Sequence, residues 1–214
     1  MNINKCFNLD KEYNKILFQS KNFKVIPSLG SIVEGWLLII PKEHYISFGE
    51  VTKDSVLLEE LNALLNRVCK CIENEYGDYI IFEHGPIKEK STVGCGVDYA
   101  HIHIVPINLT MDQISEFSDQ NFKWKKVEGI RSTNSFFNAQ QAYLYFQDNY
   151  RNSYIGTNAT IPSQFFRQII ANRFNKPEMF DWKSYYFLDN ISKTYNRLEK
   201  YNKVNNLSKV VTYA

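Results

Sequence analysis

Two of the four histidines in the chain stand two residues apart, in the segment Tyr99-Ala-His101-Ile-His103-Ile-Val-Pro106. Alternate side chains of a strand project from the same face, so Tyr99, His101 and His103 would form a polar row opposite an apolar one. Imidazole titrates near neutral pH and can act as a nucleophile, a general acid or base, or a metal ligand. Three interpretations are therefore open: half-exposed histidines without chemistry, a metal pair, or a nucleophilic or acid–base centre.

The metal interpretation needs further ligands, and His84 is the candidate that could join His101 and His103. No clear carboxylate or cysteine completes the set. Cys69 and Cys71 are two apart on a predicted helix, so their side chains diverge and a shared zinc ion is not expected. The sequence therefore predicts no structural zinc and no cofactor, and it ranks a metal-dependent His-x-His enzyme last.

Three segments in order, Trp36–His44, Phe82–Gly85 and Gly94–Pro106, resemble the histidine-triad (HIT-like) superfamily. Its signature is three histidines at alternate positions, each followed by an apolar residue, with a proline often close behind. Aligning Pro106 with that proline puts Tyr99, His101 and His103 at the three positions. The resemblance covers residues from about 15 to 110, and the strand ending in Pro41-Lys42-x-His44 matches a second recurrent feature.

The resemblance implies a hydrolase or transferase of nucleotide phosphoesters or phosphoramidates. His101 would attack the α-phosphorus, and water or another acceptor would release the nucleotide from a nucleotidyl-histidine intermediate. His103 would donate a hydrogen bond to a phosphoryl oxygen. This chemistry requires a neutral His101 ring that presents one nitrogen while the other is hydrogen-bonded.

Further residues are expected to bind the substrate. The loop Gly94-Cys95-Gly96 lets backbone N–H groups approach a phosphate closely, although it is equally compatible with a simple tight turn. The resemblance places Glu83 near the phosphate or leaving group, and it puts Ser28 where family members hold the ribose hydroxyls with Asn or Asp. Gln164 and Arg167 can share a helix face, where Arg167 suits phosphate binding or is a solvated surface residue.

Tyr99 departs from the family pattern, because a histidine is expected there. A tyrosine can donate a hydrogen bond but cannot carry positive charge, so activity could be reduced, redirected or lost. A nucleotide-binding protein without turnover is therefore the second function that the sequence allows.

Short apolar clusters bounded by turn residues predict strands, and a long amphipathic pattern predicts a helix from about Thr52, as its N-cap, to Glu75. The predicted strands are Ile16–Phe18, Phe23–Ile26, Trp36–Ile40, Tyr79–Phe82 and Tyr99–Val105. This pattern favours an α+β, HIT-like antiparallel sheet with a crossing helix.

We expect residues 1–110 to form the nucleotide-binding domain and residues 111–214 an α/β C-terminal extension packed on it, with a polar tail from about 203. The extension is predicted to hold strands at Phe122–Val127 and Ala142–Phe146 and helices at Ser163–Phe174 and Asp189–Tyr201. Residues 163–171 with Asp181-Trp182-Lys183 are similar to an extension in a subset of bacterial HIT-like proteins.

The 214 residues are 44% hydrophobic, enough for a sizeable core. Residues 1–110 carry 11 Lys and Arg against 14 Asp and Glu, and residues 111–214 carry 14 against 9, so the second half is expected to supply cations to an anionic ligand. No apolar run reaches the ~20 residues of a membrane span, and no signal peptide is apparent, so we expect a cytoplasmic protein. A nucleotide or nucleotide-derived small molecule is the expected partner; a nucleic acid is not, and a homodimer stays open.

Overall fold

The computed structural model describes residues 7, 9, 11–94, 96–118 and 121–208. Its strands are β1 (Phe18–Gln19), β2 (Phe23–Pro27), β3 (Leu37–Pro41), β4 (Ile80–Gly85), β5 (Ile102–Val105), β6 (Lys123–Val127), β7 (Tyr143–Gln147) and β8 (Ser153–Thr157). They form one sheet in the order β1-β2-β3-β5-β4-β7-β8-β6, and every pairing is antiparallel. The expected α+β class with an antiparallel sheet is confirmed.

Six α-helices accompany the sheet within the described residues. They are α1 (Phe48–Val51), α2 (Ser55–Tyr76), α3 (Met111–Phe117), α4 (Thr133–Asn138), α5 (Phe165–Arg173) and α6 (Leu188–Ser208). Short 3₁₀ turns occur at Glu12–Asn14, Ile130–Ser132 and Pro177–Phe180.

Several boundaries differ from the sequence-based expectation. The crossing helix does not begin at Thr52, which ends α1. It begins after Asp54, whose carboxylate accepts hydrogen bonds from the backbone nitrogens of Val56 and Leu57 and so satisfies two N–H groups of the first turn. The last helix continues to Ser208, so the chain is helical where a polar tail from about 203 was expected, and residues 209–214 lie outside the described part.

The two faces of the sheet are covered by different helices. Ile39, Ile81 and Ile102 point to one face and pack in a common apolar cluster with the buried side chains of α2. Phe82 points to the other face, where it packs on Phe166 of α5, with ring centroids 4.7 Å apart. The crossing helix therefore covers one face, as expected, and a helix of the second half covers the opposite one.

Strands from the second half continue the sheet directly. β7 pairs with β4, β8 with β7, and β6 with β8. Strand β8 had no clear sequence signal, and it is the strand that joins β6 to the rest. The division of the chain at residue 110 stays a prediction, but the sheet itself runs across it.

Candidate active site

His103 lies in β5, and His101 lies just before the strand. His103 is opposite Leu38 of β3 and Phe82 of β4, and its ring stacks on Phe82 with centroids 4.3 Å apart. The His101 and His103 rings are 5.0 Å apart, and both residues are buried, with 7% and 3% of their surface exposed. They are therefore part of the folded interior, and the expectation of half-exposed histidines on a strand is wrong.

The ring of His101 is held in one tautomer. Its Nδ1 lies 2.7 Å from the backbone carbonyl oxygen of Tyr99. A carbonyl oxygen can only accept, so Nδ1 carries the proton and donates it. In the neutral ring, Nε2 then bears the lone pair, which is the form a nucleophilic imidazole needs.

His103 is held in the opposite tautomer. The indole Nε1 of Trp36 lies 3.0 Å from Nδ1 of His103. An indole N–H can only donate, so Nδ1 of His103 is the acceptor and the proton of the neutral ring sits on Nε2. His103 is therefore a hydrogen-bond donor beside a ring that offers a lone pair.

Burial keeps these imidazoles neutral. It lowers the pKa of His101 and lowers that of His103 well below the usual value, because charge is disfavoured away from water. The same cause, helped by His101 and Arg167, lowers the pKa of His84 to about 3. The Tyr99 carbonyl partly opposes the shift at His101, because it stabilises a proton on that ring.

A cavity of about 50 Å³ lies against the two rings. It brings together four residues that the sequence singled out: Ser28, His101, His103 and Arg167. The remaining lining is mainly apolar and comprises Phe7, Asn14, Ile26, Leu29, Leu38, Val97 and Trp182. The volume exceeds the ~10–15 Å³ that one water needs and is far below the ~300 Å³ of a small ligand pocket, so it has room for a compact group such as a phosphoryl.

Arg167 is a buried member of this wall, with 1% of its surface exposed. Its Nε donates to the carbonyl of Phe180 at 2.7 Å, and its Nη2 donates to the carbonyl of Gly30. The guanidinium also lies 4.8 Å from the centroid of the Trp36 ring, a cation–π contact. The expectation of a solvated surface arginine is therefore wrong, and the side chain places a positive charge beside the histidines.

The glycine loop is tied to the start of α5, and, contrary to expectation, neither Gly94 nor Gly96 is among the residues that line the cavity. The carbonyl of Gly94 accepts from the backbone nitrogen of Gln164 at 2.9 Å and from the hydroxyl of Ser163 at 2.8 Å. Gln164 itself is buried in a left-handed conformation with φ 56°, where it holds this loop and does not line the cavity. Gly96 precedes Val97 of the cavity wall, and Cys95 lies outside the described residues.

Glu83 is not brought to the cavity, contrary to the expectation that it lines the same cleft as the histidines. Side chains alternate along β4, so Glu83 projects from the face of the sheet that α2 covers. Phe82 and His84 project from the face that α5 covers. Its carboxylate accepts from the backbone nitrogen of Phe48 at 2.5 Å and from the hydroxyl of Tyr143 at 2.8 Å. Complete burial raises the pKa of Glu83 to about 8, so it holds a proton near neutral pH.

Tyr99 and His44 take anchoring positions beside the site. The hydroxyl of Tyr99 lies 3.1 Å from the carbonyl of Pro41 and 3.0 Å from that of Lys42, at the end of β3. Nε2 of His44 lies 2.8 Å from the carbonyl of Asp98 and donates to it. Tyr99 thus contributes its backbone carbonyl to His101, and its side chain fastens the start of the histidine segment to β3.

Several residues of the site were not singled out from the sequence, among them Trp36, Trp182 and Phe7. The Trp36 side chain could have been assigned to the histidine face, because it lies two residues before Leu38. Trp182 belongs to a recognised segment, but nothing in its spacing places it near His101. Phe7 lies in a cavity wall, 6.0 Å between ring centroids from His101, and had no signal.

Within the described part of the chain, no three His, Cys, Asp or Glu side chains come together in a group that could hold a metal ion. Among the described helices, none has the length and apolar character needed to cross a membrane.

No protein-family model matches the sequence, and no curated protein matches it. Among solved structures, the chain is similar to a HIT-like protein involved in cell-cycle regulation from Bartonella henselae, crystallised with an unknown ligand. The identity is 14% over 48% of this chain and 74% of that one, with a TM-score of 0.38. It is also similar to a DUF4931 family protein from Bacillus cereus, 11% identical over 79% of this chain and 100% of that one, with a TM-score of 0.37. At these identities and TM-scores, neither structure assigns a family, a residue or an activity to this chain.

Proposed function

We propose that the chain is a nucleotide hydrolase or nucleotidyltransferase that works through a nucleotidyl-histidine intermediate on His101. The observation that carries the proposal is the pair of opposite tautomers. His101 offers a lone pair on Nε2, and His103 offers a proton on Nε2, in rings 5.0 Å apart. One ring is suited to attack phosphorus and the other to bind a phosphoryl oxygen.

Attack converts the neutral His101 ring into a positively charged adduct that keeps its Nδ1 proton. The hydrogen bond from Nδ1 to the Tyr99 carbonyl strengthens as that charge develops, because charge-assisted hydrogen bonds are stronger than neutral ones. It therefore stabilises the adduct more than the starting state, which is how a fixed dipole accelerates a reaction. Arg167 and the Nε2–H group of His103 stabilise the negative phosphoryl oxygens.

The nucleoside part of the substrate would contact the apolar side of the cavity and Ser28. The hydroxyl of Ser28 lies 3.1 Å from the carbonyl of Leu29 and can accept from a ribose hydroxyl while donating there. A whole nucleoside needs more room than the cavity of about 50 Å³ has, so side chains of the cavity wall have to move when it binds.

Trapping the intermediate tests the proposal. The chain is mixed with a nucleoside 5′-(4-nitrophenyl) phosphate, whose nitrophenolate leaves without an acid, for each of the four common bases. Release of nitrophenolate with an acid-labile nucleotidyl group on His101, located by mass spectrometry, supports the proposal. Equal release by wild type and His101→Ala, with no adduct, contradicts it.

One observation favours a second candidate, a nucleotide-binding protein without turnover. The hydroxyl of Tyr99 is directed to the carbonyls of Pro41 and Lys42, so the first triad position supplies no donor to a substrate in this arrangement. Nucleotide binding by calorimetry, together with no nitrophenolate release, would distinguish this candidate from the enzyme.

A further inference from the structure

We propose that the protein binds single-stranded nucleic acid at a second site, a cleft beside β6 at the edge of the sheet. Unpaired bases stack there on Phe117 and Phe122, and the phosphate backbone follows the lysines of β6. Within the described part of the chain, this cleft shares no lining residue with the histidine cavity. The inference therefore goes beyond the proposed function and does not depend on it.

The cleft lies at one end of the sheet, where the start of β6, the start of β7 and the end of β8 come together. Its volume is about 970 Å³. Pockets for small ligands measure ~300 to ~1,000 Å³, so the cleft has room for at least one nucleotide unit. Strand β6 is the last strand of the sheet and pairs only with β8, so its outer edge is open.

Aromatic rings form one wall of the cleft. Phe117 ends α3 with 51% of its surface exposed. Phe122, just before β6, stacks on Trp124 with ring centroids 5.9 Å apart, and it lies 5.1 Å from the ring of Phe165. A ring that its neighbours already hold in place loses little conformational entropy when a base stacks on it.

A hydrogen bond keeps Phe117 and Phe122 beside the same cleft. The indole Nε1 of Trp124 donates to Oγ of Ser118 at 3.2 Å, and that hydroxyl donates to the carbonyl of Ile114 at 2.8 Å. The end of α3 is thus joined to β6. Phe117 directly precedes Ser118, so the bond brings its ring to the wall that Phe122 forms.

Amide side chains of the cleft suit the edge of a base. Gln140 and Gln141 precede β7, are exposed and line the cleft. Nε2 of Gln140 donates to the carbonyl of Phe137 at 3.3 Å, which leaves its side-chain oxygen as an acceptor. Base edges present both donors and acceptors, and amides can match both, whereas a carboxylate only accepts.

The charge beside the cleft favours an extended anion. Among the described residues that line it, none is acidic, and Lys123 is a cation; Glu116 and Glu128 lie outside the lining. Lys125 and Lys126 are exposed further along β6 and do not line the cleft. A mononucleotide in the cleft would reach only Lys123, whereas the next phosphates of a polymer would meet the other two lysines.

The combination of groups distinguishes a single strand from other anions. A duplex keeps its bases stacked on one another, so their faces would not reach Phe117. An acidic peptide would use the lysines but not the amides and rings together. In an unpaired nucleotide, the base face meets a ring, the base edge an amide and the phosphate a lysine. The small charge excess of the second half does not predict this partner; the fold does, because it places lysines beside exposed rings.

Binding of labelled oligonucleotides tests the proposal. Fluorescein-labelled oligothymidylate and oligouridylate of about 12 nucleotides are titrated with the protein and followed by anisotropy. Binding should weaken about tenfold between about 50 and about 200 mM salt, because about two or three phosphate contacts release counterions. The tighter of the two oligomers identifies DNA or RNA as the source. No binding of either at about 100 µM protein, the weak limit for non-specific complexes, overturns the proposal.

Phe117→Ala tests the stacking. Loss of one stacked base should weaken binding about tenfold, and Phe117→Tyr, which keeps a ring, should bind like wild type. Tyr150→Ala is the matched control, because Tyr150 is a 70% exposed ring in the β7–β8 turn, at the opposite end of these strands. Equal affinities for Phe117→Ala and wild type would show that no base stacks there, contrary to the proposal.

Lys125→Gln tests the path of the backbone. The slope of the logarithm of affinity against the logarithm of salt concentration should become shallower by about 0.7, as for one lost phosphate contact. Lys193→Gln should keep the wild-type slope. Lys193 is an exposed lysine of α6, and the neighbouring Thr194 accepts from the backbone nitrogen of Gly35, near β3 and far from β6 in the strand order. An unchanged slope in Lys125→Gln contradicts a backbone that follows β6.

Two further results would overturn the site or the ligand. If His101→Ala loses oligonucleotide binding and Phe117→Ala keeps it, the oligonucleotide occupies the histidine cavity. If oligoglutamate displaces the labelled strand as well as unlabelled oligothymidylate does, the β6 edge binds acidic protein segments. Phe117→Ala should release nitrophenolate at the wild-type rate, so this proposal and the proposed function can fail separately.

Discussion

The indole nitrogen of Trp36 lies 3.0 Å from Nδ1 of His103 and fixes which nitrogen of that ring carries the proton. Trp36 directly precedes β3, which pairs with β5 through Leu37 and Ile104. The tautomer of His103 on β5 is thus set by Trp36, the residue just before the neighbouring strand β3. The same indole ring also lies under the Arg167 guanidinium. Trp36 therefore contacts both His103 and Arg167, the two residues proposed to bind the phosphoryl oxygens of the substrate.

Replacing Trp36 by Phe should release the tautomer of His103 while keeping most of the apolar packing. We expect kcat/KM to fall about tenfold, which is the kinetic equivalent of one hydrogen bond of about 1.4 kcal/mol. Nitrogen NMR of the imidazoles should show His103 protonated on Nε2 in wild type and a mixture of tautomers in the variant. Trp124→Phe, on β6, is the control, and an unchanged His103 spectrum in Trp36→Phe would contradict the assignment.

Removing the nucleophile should have the largest effect. His101→Ala should lose at least about three orders of magnitude in turnover, as loss of a covalent nucleophile typically does. His101→Gly should recover part of the rate when imidazole is added, because the free ring can enter the space left behind. His103→Gln should lose less, because it keeps a donor and leaves the attacking ring in place. The rates are measured by nitrophenolate release.

The pH dependence follows from the direction of the shift at His101. Its pKa is lowered, so the ring stays neutral, and therefore nucleophilic, at pH values where an ordinary histidine is already protonated. The acid limb of kcat/KM should thus fall below pH 6.5, the usual value for histidine. A limb centred above pH 6.5 would show that the ring is not buried in the functional state.

Glu83 should make stability depend on pH. Its pKa is raised from 4.5 in the unfolded chain to about 8 in the fold, so the folded state holds a proton that the unfolded state has lost. The stabilisation is fully present below pH 4.5, decreases as the pH rises toward about 8, and is lost above it. Glu83→Gln, which resembles the protonated carboxyl, should remove this slope in urea unfolding.

Glu59→Gln is the control for that experiment, because Glu59 is an exposed residue of α2. It should keep the slope of wild type. The buried histidines His84, His101 and His103 have lowered pKa values and contribute a slope of opposite sign below pH 6.5, so the quantity to compare is the stability of wild type minus that of Glu83→Gln. A difference that does not fall between pH 5 and pH 8 would contradict a protonated Glu83.

Tyr99 can be tested by two substitutions. Tyr99→Phe removes the hydroxyl that bonds to the carbonyls of Pro41 and Lys42 and should cost about 1 kcal/mol of the free energy of unfolding. Tyr99→His restores the usual triad residue. If Tyr99 occupies the position passively, this variant should hydrolyse a generic adenosine phosphoramidate faster than wild type; weaker binding of the true substrate would show instead that Tyr99 shapes the pocket.

The histidine face could be predicted because it depends on a local rule. Because side chains alternate along a strand, His103 projects from one face of the sheet and Ile102 and Ile104 from the other, whatever the rest of the fold is. The same rule, applied to β4, assigns His84 to the face of Phe82 and Glu83 to the other face. The family resemblance instead implied that Glu83 lies near the phosphate, on the face of the histidines. The alternation of side chains along β4 predicted the position of Glu83 correctly, because a strand that is buried on both faces gives a side chain no freedom to change faces.

The rest of the site depends on contacts between residues far apart in sequence. Arg167 reaches the carbonyl of Gly30 across 137 positions, and Trp182 packs against the same glycine. Neither contact can be predicted from a periodicity or a residue spacing in the sequence. The sequence indicated that Arg167 could bind phosphate, but only the packing of α5 on the sheet could show that it is buried beside His101.

The pairing of β7 with β4 has a consequence for how this protein can be altered. A chain cut after residue 110 would open the edge of β4 and uncover the apolar surface around Phe82. An open edge of this kind pairs readily with other chains, so the shortened protein should aggregate instead of forming a smaller enzyme. Gene fusions and chimaeras should therefore exchange the two halves together. Strand β4, which pairs with the histidine strand β5, obtains its second pairing partner, β7, only from the second half.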